Sequence, residues 1–120
     1  MAGVTQLNFD SPDETRTPPK TRMDVVRSGA TSASRLRLEP GWRWSECIKP
    51  TAGTERCQMH HVGIVESGSL HVEHEDGSSV DVGPGNAYVF EPGHDAWVVG
   101  DEPFVAYEFD ARAAEEYARG

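Results

Sequence analysis

The sequence predicts an all-β domain, an antiparallel sandwich or barrel, and three observations carry that expectation. Short runs of alternating apolar and polar residues recur about every 8–12 residues, bounded by Gly, Pro, Asn or Asp. No apolar period of helical length lies between them, which disfavours a fold that alternates strands with helices. Asp76-Gly77 separates two such runs, and both residues tolerate the positive φ of a tight hairpin turn.

Residues 1–22, MAGVTQLNFDSPDETRTPPKTR, are rich in Pro, Thr and charge and read as an arm with no core of its own. Leu7 and Phe9 are its large apolar anchors, expected to dock on the barrel or on a neighbouring subunit. Pro18 and Pro19 bar a central strand there. Residues 23–110 hold the strands. MDVVRSG comes first, then SRLRLEPG, where Leu36 and Leu38 alternate with Arg35 and Arg37. In WRWSECI, Trp42, Trp44, Glu46 and Ile48 fall on one face of an expected strand. CQMHHVGIVESG, the hairpin SLHVEHEDGSSVDVGPG, and NAYVFEPG, DAWVVG and PFVAYEFD complete the set. Residues 111–120, ARAAEEYARG, are Ala- and Glu-rich and predict one short terminal helix.

A chain of 120 residues suits a single domain. Its net charge of −9 comes from 11 basic and 20 acidic residues. That balance repels phosphate backbones and anionic lipid surfaces, so neither nucleic acid nor membrane is an expected partner. The start of the chain lacks a secretory pattern and no apolar run approaches a membrane span. A cytoplasmic location is expected, with Cys47 and Cys57 as reduced thiols. There is no Gly-rich phosphate loop and no G-x-S-x-G nucleophile motif.

Two blocks resemble the paired motifs of the cupin superfamily, small β-barrels of jelly-roll type. Gly85 and Gly93, in GNAYVFEPG, match the two glycines of the second motif, and Gly68 in VESGSL matches the glycine that closes the first. In that register the first motif's glutamate position falls on His61 and its two histidine positions on Glu55 and Cys57. Its opening glycine falls on Lys49. In the second motif the proline, histidine and asparagine positions are Glu91, Ala96 and Gly100. GWRWSE, GTERCQMHH and PGHDAWVVGDEP are similar to a group of small bacterial cupin-domain proteins of no settled activity. The resemblance implies a jelly-roll barrel in which Glu55, Cys57, His61 and Ala96 stand where three histidines and a glutamate usually bind metal.

Alternation along an expected strand puts Glu55, Cys57, Met59 and His61 on one face, turned into the barrel if that register holds, and His60 on the other. Along a flat strand Cys57 and His61 would lie about 13 Å apart, so binding one ion together needs a bend. His94, two positions before Ala96, offers a third nitrogen. Thiolate, imidazole and carboxylate form a ligand set suited to zinc. The expected centre is a divalent metal, zinc foremost, held by Cys57 and His61 with His94 or Glu55. The alternative is a metal-free barrel whose inward polar residues bind a small molecule or one another. Trp44, Glu46 and Met59 are the expected ligand-binding wall. His71 and His74 have opposite parity and read as solvated. Cys57 with His61 as a nucleophile and base lacks an evident third group. Two function classes follow: a small-molecule binding or sensing module, or a metal-dependent enzyme of isomerase or dioxygenase type. A homodimer is expected of either.

Overall fold

A computed structural model describes residues 3–109. The terminal helix expected over residues 111–120 lies outside the described residues. The order of elements is β1 (Glu14–Arg16), β2 (Thr21–Ser28), β3 (Thr31–Leu38), α1 (Trp44–Cys47), α2 (Lys49–Ala52), β4 (His61–Ser67) and β5 (Ser69–His74). β6 (Ser79–Val82), β7 (Ala87–Phe90), β8 (His94–Val99) and β9 (Phe104–Phe109) follow. Six strands form one sheet in the order β1-β2-β3-β9-β4-β7, and three form a second in the order β6-β5-β8. The described strand pairs are all antiparallel. No described helix is long and apolar enough to cross a membrane.

The two sheets close on one apolar core. Leu38, Val65, Tyr88, Phe104 and Ala106 come from the larger sheet, and Leu70, Val72, Val82, Ala96 and Val98 from the smaller. Each set alternates along its strand with outward residues, the period that the sequence carries. The link from β4 to β5 turns at Gly68, whose φ is +79°. A side chain there would run into the backbone of Pro103 and Phe104, so glycine is required twice over.

WRWSECI is not a strand. It folds as α1, and α2 follows with Pro50 in its first turn, where a missing N–H costs nothing. Trp44 and Cys47, three apart, share the buried side of α1, and Glu46 points to solvent. The Asp95 carboxylate accepts the Ser45 N–H at 3.2 Å and so ties the start of α1 to β8. Residues 53–60 are not a strand either: Gly53 ends α2 at φ +76° and an irregular segment runs on to β4.

The arm folds back on its own sheet. Phe9 packs against Tyr107 with ring centroids 5.4 Å apart, and the Arg35 guanidinium lies 5.6 Å from the Phe9 ring centroid. β1 then pairs with β2. Leu7, the other expected anchor, is exposed. Under this layer lies Asp24, 2% exposed. It accepts from Thr15 Oγ1 at 3.0 Å and pairs with Arg22 and Arg35 at 3.2 and 3.1 Å. Burial alone would raise the Asp24 pKa, but hydrogen bonds from Arg22, Thr15 and Arg35 outweigh it and hold the carboxyl below its ordinary 3.8.

Replacing this carboxylate leaves Arg35 short of its buried partner. Asp24→Ala is expected to cost about 2–3 kcal/mol, less than a fully buried pair because both arginines reach solvent. Since the folded pKa is depressed, the stabilisation is present above the unfolded value of about 4 and lost as pH falls through the folded one. Thermal unfolding from pH 7 down to 3 checks this: the gap in melting temperature between wild type and Asp24→Ala should narrow at acid pH.

Candidate metal centre

Cys57, His61 and His94 converge from three segments. Cys57 comes from the irregular stretch after α2, His61 opens β4 and His94 opens β8. One donor atom from each lies within 4.8 Å of the others. Cys57 is fixed by its backbone: its N–H donates to His94 O at 2.8 Å. Its carbonyl accepts the N–H groups of Gly93 and His94 at 2.7 and 3.3 Å. The turn in residues 53–60 therefore supplies the bend that a strand would have denied, and Cys57 Sγ sits 3.5 Å from His61 Nε2.

Both imidazoles are held by their other nitrogen. His61 Nδ1 donates to Glu108 Oε1 at 2.8 Å, and His94 Nδ1 donates to the Glu91 carbonyl at 2.8 Å. With Nδ1 engaged in each ring, Nε2 is the nitrogen left to meet an ion. Phe90 lies against both, with centroids 6.4 Å from His61 and 5.6 Å from His94. Cys57 and His94 are about 95% buried.

Glu108 is the residue that the sequence reading missed, and Tyr88 is its partner. Tyr88 Oη donates to Glu108 Oε2 at 2.6 Å. In the sheet register Gly63 lies between them, paired with Tyr88 on one side and Glu108 on the other. A Cβ on Gly63 would fall 2.6 Å from the Tyr88 hydroxyl and 2.7 Å from the Tyr107 carbonyl. The missing side chain is what lets the phenol reach across β4. The signals were a glycine inside a strand and the inward parity of Phe104, Ala106 and Glu108.

The charges follow from these contacts. Burial would push the Cys57 thiol up, but hydrogen bonds with His61 and His94 overcome it and bring its pKa to about 6. Burial would push His61 down, yet Cys57 and Glu108 together raise it to about 10. Without an ion the pair is therefore thiolate and imidazolium, a proton that a metal would displace. Burial would raise the Glu108 pKa, but His61 and Tyr88 hold it below the usual value, while burial and the Glu108 charge keep Tyr88 protonated as a donor.

The other candidates lie elsewhere. Glu55 is outside this group: its side chain is 91% exposed and pairs with Lys49 at 2.7 Å. Met59 is 59% exposed, Glu46 is exposed on α1, and Trp44 is buried in the core. Parity had joined Glu55 and Met59 to the site, and without a strand over these residues it does not apply. His60 is half-buried, with Nε2 3.4 Å from Glu91. His71 pairs with Asp81 and Glu73 at the surface.

No protein-family model matches the chain, and no curated protein matches it at significant sequence similarity. Solved structures do match it in fold. A protein of unknown function from Rhizobium leguminosarum bv. viciae superposes with a TM-score of 0.65 at 21% identity, covering 90% of this chain and 96% of that one. A cupin-superfamily sugar phosphate isomerase from Silicibacter pomeroyi gives 0.61 at 17% identity, covering 88% and 74%. The chain has the cupin fold. KdgF from Halomonas sp. aligns over a similar span, with a TM-score of 0.60 at 21% identity and coverage of 90% and 93%. In this chain the candidate centre is built from Cys57, His61 and His94, and Ala96 is a buried core residue.

The Tyr88–Gly63–Glu108 row makes its own prediction. Gly63→Ala should lower stability by about 1–3 kcal/mol through overpacking. Tyr88→Phe alone should cost about 1–2 kcal/mol for the lost bond to a buried carboxylate. Combined in one chain, the two should cost less than their sum, because the alanine has already displaced the hydroxyl. Denaturant unfolding of the four proteins in the cycle measures the coupling.

Proposed function

We propose that this cupin binds a small molecule beside a divalent metal, zinc, held by Cys57, His61 and His94. One observation carries the reading: three donor atoms of the right types lie within 4.8 Å of one another. The residues fit the ion. Zn–S and Zn–N bonds of ordinary length at a tetrahedral angle put sulfur and nitrogen about 3.6 Å apart. Sγ and Nε2 of Cys57 and His61 are 3.5 Å apart. A thiolate with two imidazoles favours zinc over the harder cations that prefer oxygen.

Within this reading the chain's own residues have distinct tasks. Glu108 fixes the His61 ring and offsets charge; Tyr88 holds Glu108; the Glu91 carbonyl fixes the His94 ring; Phe90 packs beside both imidazoles. When bound, zinc supplies a Lewis acid that polarises an oxygen of the ligand.

A metal-dependent isomerase is the second reading. It is favoured by a set of three protein ligands, which leaves a position open as in catalytic zinc sites, and by a structural neighbour named as a sugar phosphate isomerase. A dioxygenase has less support, since thiolate is a soft ligand beside the set typical of non-haem iron.

Elemental analysis of protein purified without a His-tag tests the metal. One zinc per chain is expected, falling well below stoichiometric in Cys57→Ala/His61→Ala; substoichiometric metal that the double substitution leaves unchanged sinks the reading. Glu108→Gln, which keeps the shape and removes the charge, should weaken zinc about 10–100-fold in a chelator competition.

A further inference from the structure

Against the candidate centre lies a cleft of about 250 Å³, between the β5–β6 hairpin and β7, with His94 and Phe90 on its wall. It is slightly smaller than the pockets that take drug-sized ligands, about 300–1,000 Å³, and so suits one compact molecule. Its apolar lining is formed by the buried Val72 and Phe90 and the exposed Val80 and Val89. Its rim is polar, with Asp76, Ser78, Ser79 and Glu91.

The charges of this wall restrict what it can hold. No Lys or Arg lines it. Its one basic side chain besides His94 is His74, and both nitrogens of that ring are already engaged. Nδ1 accepts the Asp76 N–H at 3.0 Å and Nε2 donates to the Pro92 carbonyl at 2.8 Å. His94 donates Nδ1 to a carbonyl and belongs to the centre with Cys57 and His61. An anionic ligand would find no free cation here, two carboxylates on the rim, and a chain of net charge −9 around them. A bound zinc ion does not change this, since the Cys57 thiolate and the Glu108 carboxylate together offset its two charges.

We infer that the cleft takes a compact, uncharged, polyhydroxylated molecule, of the aldose or alditol class, and excludes its phosphorylated and carboxylated counterparts. Hydroxyls donate to the rim carboxylates and accept from Ser79, the Ser78 hydroxyl being already given to Asp76 Oδ1 at 2.6 Å, whereas the C–H face of such a molecule covers Phe90 and the valines. The inference rests on the zinc reading only for the charge balance beside His94.

Calorimetric titration of the full chain with ribose, glucose and sorbitol, and in parallel with glucose 6-phosphate and gluconate, tests it. Zinc content is measured on the same samples. At least one neutral probe should bind at least about tenfold more tightly than either anion, a difference of about 1.4 kcal/mol. Val80→Trp, which fills the cleft from a position 47% exposed, should abolish that binding. Glu91→Lys should shift the preference toward the anions. Tighter binding of an anion, no binding by any neutral probe, or binding indifferent to Val80→Trp overturns the inference. Neutral binding in samples without zinc retires the metal reading and leaves the cleft assignment standing.

Discussion

Glu108 faces inward from β9, where a carboxylate persists as an ion only if its oxygens meet donors, since an unpaired buried charge costs on the order of several kcal/mol. One oxygen takes the Tyr88 hydroxyl and the other the His61 ring. Both partners lie on other strands, so satisfying the charge fixes how β7, β4 and β9 sit against one another. It also explains a glycine in the middle of β4. Any larger residue at Gly63 would stand between phenol and carboxylate, on the row that joins Tyr88 to Glu108. The orientation of His61 is the end of that chain of requirements. Its ring is aimed by a carboxylate that the sheet has already positioned.

Cys57 reaches the same point by a different route. Nothing in its own segment is regular, yet its N–H and carbonyl are both bound to the turn at Gly93 and His94. That clamp couples two of the three donors through backbone bonds, and such bonds are insensitive to the side chains around them. The far side of β8 is braced as well. Asp95 accepts the Ser45 N–H, and Trp97 lies under the Arg43 guanidinium at 4.2 Å. α1 and the loop after α2 therefore grip β8 at neighbouring points, and the position of His94 is set by contacts outside the centre.

Sequence periodicity revealed most of the sheets because strands that bury one face must alternate, as Leu36 and Leu38 do against Arg35 and Arg37. It misled where a buried pair was spaced for either structure. Trp42 and Trp44 alternate as in a strand, but Trp44 and Cys47 also fit one side of a helical turn, and the tie from Ser45 to Asp95 decides between them. The same limit governed the site. Cys57, His61 and His94 were readable as ligand types, but grouping Glu55 and Met59 with them assumed a strand that Gly53 and the following bends do not form. Glu108 was within reach of parity, since Phe104 and Ala106 mark its face. What the sequence hides is the partner, because Tyr88 and His61 meet Glu108 only through the strand order that places β9 beside β4 and β4 beside β7.

His94 and Ala96 occupy different levels of β8. Both residues face the interior, and His94 lies one same-face step, about 7 Å, nearer the start of the strand than Ala96. Cys57 lies level with His94, because its backbone is bonded to residues 93 and 94. His61, the first residue of β4, lies at the same end of its own strand. The three donors thus share one level, at the strand ends and beside the cleft under the β5–β6 hairpin, while Ala96 has joined the apolar core. Ala96 is therefore accounted for by packing, and the three donor types lie together beside the cleft.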